Sequence, residues 1–217
     1  MPPIVSVIGK SKSGKTTLIE KLIKELKSRG YHVATIKHAP QGVSFDEPDK
    51  DSWRHLQAGS EATSVSSPDR IVLIKPVAQE PTIDEIARLL GEDCDIILTE
   101  GFKQGSASKI EVHRKEAGPP FKGIKKLIAI VTDEPLETKA RQFSPEDVKS
   151  LADLLEKGFI EPQRERISLY INNTPIPLTV FPKQIISNVL LAVVSSLKGV
   201  GEIKSLQISL KRKSEQD

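Results

Sequence analysis

At 217 residues the chain is long enough for one α/β domain and a small appendage, and its formal charge of +3 is too small to make nucleic acid its main partner, leaving anionic small molecules open. Its single cysteine, Cys94, excludes an internal disulfide framework and a cysteine-based metal cluster. The start MPPIVSVIG has no basic region and apolar core of a signal peptide, and the longest apolar-leaning run, Gln184 to Leu197, is too short and polar to span a bilayer, so a cytoplasmic protein off the membrane is expected.

Ile4 to Ile8 is a β-branched run that ends at Gly9, a buried strand running into a loop. That loop, Gly9-Lys10-Ser11-Lys12-Ser13-Gly14-Lys15-Thr16-Thr17, has the pattern G-x-x-x-x-G-K-[ST]. Its glycines let successive backbone N–H groups turn inward toward phosphate oxygens, and the helix after it adds the positive end of its dipole. Lys15 is placed to reach the outer phosphates and the Thr16 hydroxyl to ligate Mg²⁺. Lys10 and Lys12 either join the phosphate contacts or stay solvated. The helix spans Lys15 to Ser28, with Leu18, Leu22, Ile23 and Leu26 at helical spacing and Gly30 closing it.

A second strand is predicted over Tyr31 to Lys37, then a loop over Pro40 to Lys50 and a helix from Asp51 or Ser52 to Gly59. Asp46, Asp49, Asp51, Arg54, His38 and His55 crowd into this segment. Asp49, Asp51 and Arg54 suit a loop that senses a terminal phosphate, and equally a polar loop capping a helix. The two histidines have no third nitrogen or sulfur ligand near them, which speaks against zinc. Two short strands follow, Thr63 to Ser66 and Arg70 to Ile74, then a helix from Pro81 to Leu90 with Thr82 and Glu85 spaced as a capping box.

Asp95 to Thr99 is another buried strand, and Glu100 stands at its C-terminal end, where ligands bind in parallel sheets; Asp95 at the other end is expected to cap the preceding turn. Glu100 is therefore a candidate to hold Mg²⁺ or a water. Lys109 to Arg114 and Leu127 to Val131 are further strands; His113 is read as a strand-end surface residue. Asp133, after the second of these, suits two parallel donors on a guanine edge, and suits a strand-to-loop turn equally. Ser144-Pro145-Glu146 opens a helix to Lys157.

Strands alternating with helices predict an α/β P-loop NTPase fold over residues 1–160, a mainly parallel sheet flanked by helices on both faces. Glu161 to Glu165 is a polar linker. Residues 164–217 are predicted as a small ββαβ unit: strands Ile167 to Ile171 and Ile176 to Val180 around an Asn172-Asn173 turn, a helix Pro182 to Leu197, and a strand Gly201 to Lys211 that alternates imperfectly at Ile203, Leu206, Ile208 and Leu210. The polar tail Lys211 to Asp217 is expected to fray.

Taken in order, GKSKSGKTTLIEKLIKELKSRGYHVATIKH, DKDSWRHLQAG, ILTEGFK and KIEVHR resemble the MobB family of molybdopterin-guanine dinucleotide biosynthesis adaptor proteins, over roughly residues 3 to 158. The resemblance implies a homodimeric GTP-binding protein with weak GTPase activity. Its partner would be the molybdenum cofactor guanylyltransferase that joins GMP to molybdopterin, with a molybdopterin-type ligand nearby. Carried over, Gly9 to Thr17 match the phosphate loop, Lys50-Asp51-Ser52 and Arg54 the family's loop pattern, and Glu100-Gly101-Phe102-Lys103 its acidic strand-end motif. The chain departs from the pattern at Ala39-Pro40-Gln41-Gly42, where the family often has further histidines. Two other readings stay open, a small-molecule kinase and a scaffold that uses nucleotide only to set its shape.

Overall fold

The computed structural model describes residues 1–42, 46–163, 167–172, 174–203 and 205–210. Aliphatic and β-branched runs become strands wherever Gly, Pro or polar clusters bound them. In chain order these elements are β1 (Ile4–Gly9), α1 (Lys15–Ser28), β2 (Val33–Lys37), α2 (Asp51–Gln57), β3 (Thr63–Ser66), β4 (Ile71–Ile74), α3 (Ile83–Leu90), β5 (Ile96–Glu100), β6 (Ser108–Val112), β7 (Leu127–Val131), β8 (Arg141–Phe143) and α4 (Val148–Leu155). Six strands form one parallel sheet in the order β2-β5-β1-β6-β7-β8, and β3 and β4 form a separate antiparallel hairpin. β1 sits at the sheet's centre, with Ser6 level with Thr99 of β5 on one side and with Lys109 of β6 on the other.

Helices cover both faces. On one, Leu18, Ile19, Leu22 and Leu26 of α1 and Leu151, Ala152 and Leu155 of α4 pack on Val5, Val7, Ile96, Leu98, Ile110 and Val112. On the other, Ile83 and Ala87 of α3 pack with Ile36, Cys94 and Ile97. The Thr82–Glu85 capping box starts α3: the Glu85 N–H donates to Thr82 Oγ1 at 3.3 Å and the Thr82 N–H to Glu85 Oε2 at 2.7 Å. Arg29, just past α1, donates to Glu25 of α1, to Asp153 of α4 and to Glu156 just after α4, and the Tyr31 hydroxyl donates to Glu156 at 2.6 Å.

Several local expectations need correction. His113 is buried, because β7 runs parallel beside β6 and the chain leaving it brings Glu134 to the ring; its Nε2 lies 2.9 Å from Glu134 Oε1. Lys109 and Glu111 on the same face are buried too, Lys109 donating to the carbonyls of Gly105 and Ala107. Desolvation, with Lys126 nearby, pulls the Lys109 ammonium below its usual range. Asp95 accepts from the His32 N–H at 2.8 Å, which ties the start of β5 to the entry of β2. The last helix begins at Val148, not Ser144, because Asp147 accepts from the Ser150 N–H and caps it there; it continues as a π turn and a 3₁₀ turn to Gln163. Residues 161–163 of the supposed linker lie in that 3₁₀ turn, and 164 and 165 lie outside the described residues.

The chain divides into two compact units, Met1–Arg164 and Glu165–Asp217. The second has an antiparallel hairpin, β9 (Leu169–Ile171) and β10 (Thr174–Ile176), and a helix, α5 (Val180–Ser195). Its second strand stops at Ile176, just before Pro177. Asn172 turns the hairpin with φ 50°, a conformation asparagine tolerates; Asn173 lies outside the described residues. The fourth element of the expected ββαβ unit is not formed in 201–203 or 205–210. The step from Ile203 to Leu206 breaks the two-residue period, so no single apolar face exists there. Residues 204 and 211–217, including the tail, lie outside the described residues. No described helix is long and apolar enough to cross a membrane.

Candidate functional site

The end of β1 delivers the chain into the phosphate loop through a position only glycine can hold. A Cβ on Gly9 would lie 2.5 Å from the Val112 carbonyl oxygen and 2.6 Å from Ser13 Oγ. Gly14, at φ 96°, then turns the chain into α1, whose first turn carries no acidic residue. The first N–H groups of α1, from Lys15 and Thr16 onward, therefore meet no carboxylate of their own first turn, an arrangement that suits an anion. Lys15 Nζ donates to the Lys10 carbonyl at 2.7 Å, holding the lysine across the loop's mouth. Ser13 is buried and its Oγ has no hydrogen-bond partner among the described residues; Ser11, Lys12, Thr16 and Thr17 are exposed.

Two neighbouring strands bring side chains to the loop. On one flank, Glu100 ends β5 level with Val7, and the Thr16 hydroxyl donates to Glu100 Oε2 at 3.0 Å. The next residue, Gly101, has φ 104°, and a Cβ there would meet His38 Cβ at 3.0 Å. His38 stacks on Phe102, ring centroids 4.6 Å apart, and its Nε2 pairs with Glu80. On the other flank, β6 runs out through His113 to Arg114. The Arg114 guanidinium comes within 3.7 Å of where a Cβ of Gly14 would stand, and its Nη1 donates to Asp133 Oδ2 at 3.1 Å. Burial alone would raise the Asp133 carboxyl, but the Arg114 guanidinium and the backbone N–H groups of Asp133 and Lys115 outweigh it and hold the carboxyl below its usual range. The 3₁₀ turn Lys115–Ala117 then brings Gly118 so close that a Cβ on it would lie 3.1 Å from Lys10 Nζ.

The remaining candidates lie on α2 and its entry. Asp49 precedes the helix at φ 70°, and Arg54 pairs with Asp51 at 3.9 Å, both side chains exposed. Residues 43–45 of the preceding loop lie outside the described residues. Sequence reasoning missed Arg114 as a site residue. The available signal was its position at the C-terminal end of a strand in a parallel sheet, the criterion that had picked out Glu100.

A family model described as molybdopterin guanine dinucleotide synthesis protein B, MobB, matches residues 4–133, a span that takes in the phosphate loop, Glu100, Arg114 and Asp133. The chain is 35% identical over 156 residues to the molybdopterin-guanine dinucleotide biosynthesis adapter protein of Haemophilus influenzae, covering 71% of this chain and 88% of that one. The chain belongs to the MobB family. The solved MobB homolog of Bacillus stearothermophilus aligns with a TM-score of 0.55 and 25% identity over 71% of this chain and 96% of its own. A protein of Methanocaldococcus jannaschii named "putative molybdopterin-guanine dinucleotide biosynthesis adapter protein" is 24% identical, covering 95% of this chain and 97% of its own length, so that alignment reaches into residues 165–217.

Proposed function

We propose that this MobB-family chain is a cytoplasmic GTP-binding adaptor in molybdopterin guanine dinucleotide biosynthesis, with slow Mg²⁺-dependent hydrolysis, working beside a molybdenum cofactor guanylyltransferase. The names of its relatives supply the pathway. The observation that carries the chemistry is the Thr16–Glu100 hydrogen bond, 3.0 Å across the mouth of a glycine-bounded phosphate loop. One hydroxyl and one carboxylate converging there fit the protein's share of an octahedral Mg²⁺ site, which phosphate oxygens and water complete. The unpartnered Ser13 Oγ and the acid-free start of α1 fit an anion in the loop. Bound Mg²⁺ would neutralise charge on the outer phosphates. Gly9 to Thr17 wrap the phosphates, with Lys15 leaving the Lys10 carbonyl to reach them. Glu100 orients the Thr16 hydroxyl; Asp49, Asp51 and Arg54 are assigned to a loop that responds to the terminal phosphate.

Two copies of the chain are proposed to meet through the β3–β4 hairpin, where Val65, Ile71, Val72 and Leu73 are exposed on a ribbon too small to bury them itself. A molybdopterin-type ligand would belong to the assembly with the guanylyltransferase. The test is single-turnover GTP hydrolysis with and without a molybdenum cofactor guanylyltransferase, for wild type and Glu100→Gln. The proposal expects slow Mg²⁺-dependent turnover that Glu100→Gln suppresses at least tenfold, about the effect of losing one charged metal ligand. Equal turnover in both proteins would refute the metal assignment, and a partner whose dinucleotide synthesis ignores this protein would refute the adaptor role.

A further inference from the structure

The Arg114–Asp133 pair has no part in the phosphate chemistry just described, yet it lies against the phosphate loop. The sheet order places the two flanks of that loop on opposite sides of β1: Glu100 ends β5 on one, while Arg114 and Asp133 follow β6 and β7 on the other. Thr16 and Glu100 would hold Mg²⁺ against the outer phosphates, so that pair marks the terminal-phosphate flank. A nucleotide lying along the loop with that end at Glu100 carries its base toward the ends of β6 and β7. We infer that Arg114 is the platform on which the nucleobase stacks, with Asp133 as the positioning residue that holds the guanidinium. The inference rests on the nucleotide-binding reading above and adds to it which residues meet the base.

Three observations bear on it. The guanidinium faces Gly14, where there is no side chain to come between it and a ligand on the loop. A planar, delocalised guanidinium stacks on aromatic faces as a lysine ammonium does not. The Asp133 carboxylate faces the guanidinium, its Oδ2 accepting from Arg114 Nη1 at 3.1 Å. Paired in this way, the carboxylate orients the arginine, and a base held by stacking on the guanidinium is held with no preference for guanine over adenine.

The experiment is calorimetric titration of the full-length protein with Mg²⁺ and GTP, ATP or inorganic tripolyphosphate, for wild type, Arg114→Lys, Asp133→Asn and Asp133→Glu. Arg114→Lys keeps the charge and removes the plane; it is expected to weaken GTP and ATP alike, by about threefold to thirtyfold, and to leave tripolyphosphate unchanged. Asp133→Asn is expected to weaken both nucleotides with their ratio unchanged, and Asp133→Glu, which keeps an anionic partner for the guanidinium, to recover part of the loss. Tripolyphosphate weakened as much as GTP by Arg114→Lys would make Arg114 a phosphate ligand and overturn the inference. So would Asp133→Asn weakening GTP alone, which would make Asp133 the base reader, or nucleotide affinities unchanged by both substitutions. If wild type binds neither nucleotide nor tripolyphosphate, the phosphate-loop reading itself fails and this inference falls with it.

Discussion

Gly9 shows how tightly the site is built at the scale of single residues. Its missing side chain is what lets β1 turn beside the Val112 carbonyl and the Ser13 hydroxyl, at separations no Cβ can share. Gly9→Ala should therefore shift the backbone at the loop's entrance, lower stability by about 1–3 kcal/mol, and weaken GTP binding more than the stability loss alone explains. Thermal melts alongside a GTP titration check this; a variant with wild-type melting and affinity would show that the entrance is looser than described. The glycines, Lys15 and Thr16 were legible in the sequence because the phosphate loop is a local pattern whose members are neighbours in the chain. Glu100 was legible because an acidic residue right after an aliphatic run marks a strand's end. Arg114 and Asp133 were not legible as a pair. They meet only because β6 and β7 lie side by side and parallel, which residue spacing does not reveal.

Among the elements, α1 and α4 are fastened by charge as well as by their leucines. Arg29 reaches Glu25, Asp153 and Glu156, which keep its guanidinium charged, and the Tyr31 hydroxyl and Arg29 together hold the Glu156 carboxyl below its usual range. A carboxylate whose pKa is depressed in the folded state stabilises the fold above its unfolded value, about 4.3 for glutamate, and that contribution is lost as pH falls through the folded value. Stability should therefore fall on acidification below about pH 4.5. Arg29→Ala, which leaves three carboxylates facing one another, should cost about 1–3 kcal/mol at pH 7 and make the acid limb shallower. Urea melts from pH 7 to pH 3 test this; parallel curves for the two proteins would contradict it. Helix α1 was readable to the residue because its apolar period, its entry loop and Gly30 all agree. β8 was not, since Arg141–Phe143 is a short edge strand with no apolar run of its own. The strand expected over 201–211 was read from an alternation that its own sequence interrupts.

At the scale of the whole molecule, the sheet, its flanking helices and the family were legible, because the order of motifs along the chain carries the topology of a parallel α/β fold. The hairpin β3–β4 was readable as two strands, but its exposure was not, since nothing in the sequence says which face the rest of the unit leaves uncovered. If that ribbon joins two copies, Ile71→Glu, at a position 73% exposed, should convert dimer to monomer in sedimentation with the melting temperature of the monomer unit little changed. A dimer that survives the substitution would place the interface elsewhere. The second unit has the same character: none of the apolar residues of α5 is fully buried. The account stands or falls on the phosphate loop, and titration of GTP into wild type and Lys15→Ala, with and without Mg²⁺, tests it most directly. Binding that strengthens with Mg²⁺ in wild type and falls in Lys15→Ala by about tenfold to a hundredfold, the effect of one lost charge-assisted contact, is the predicted result. GTP binding that is absent from wild type, or equal in a folded Lys15→Ala protein, would contradict it.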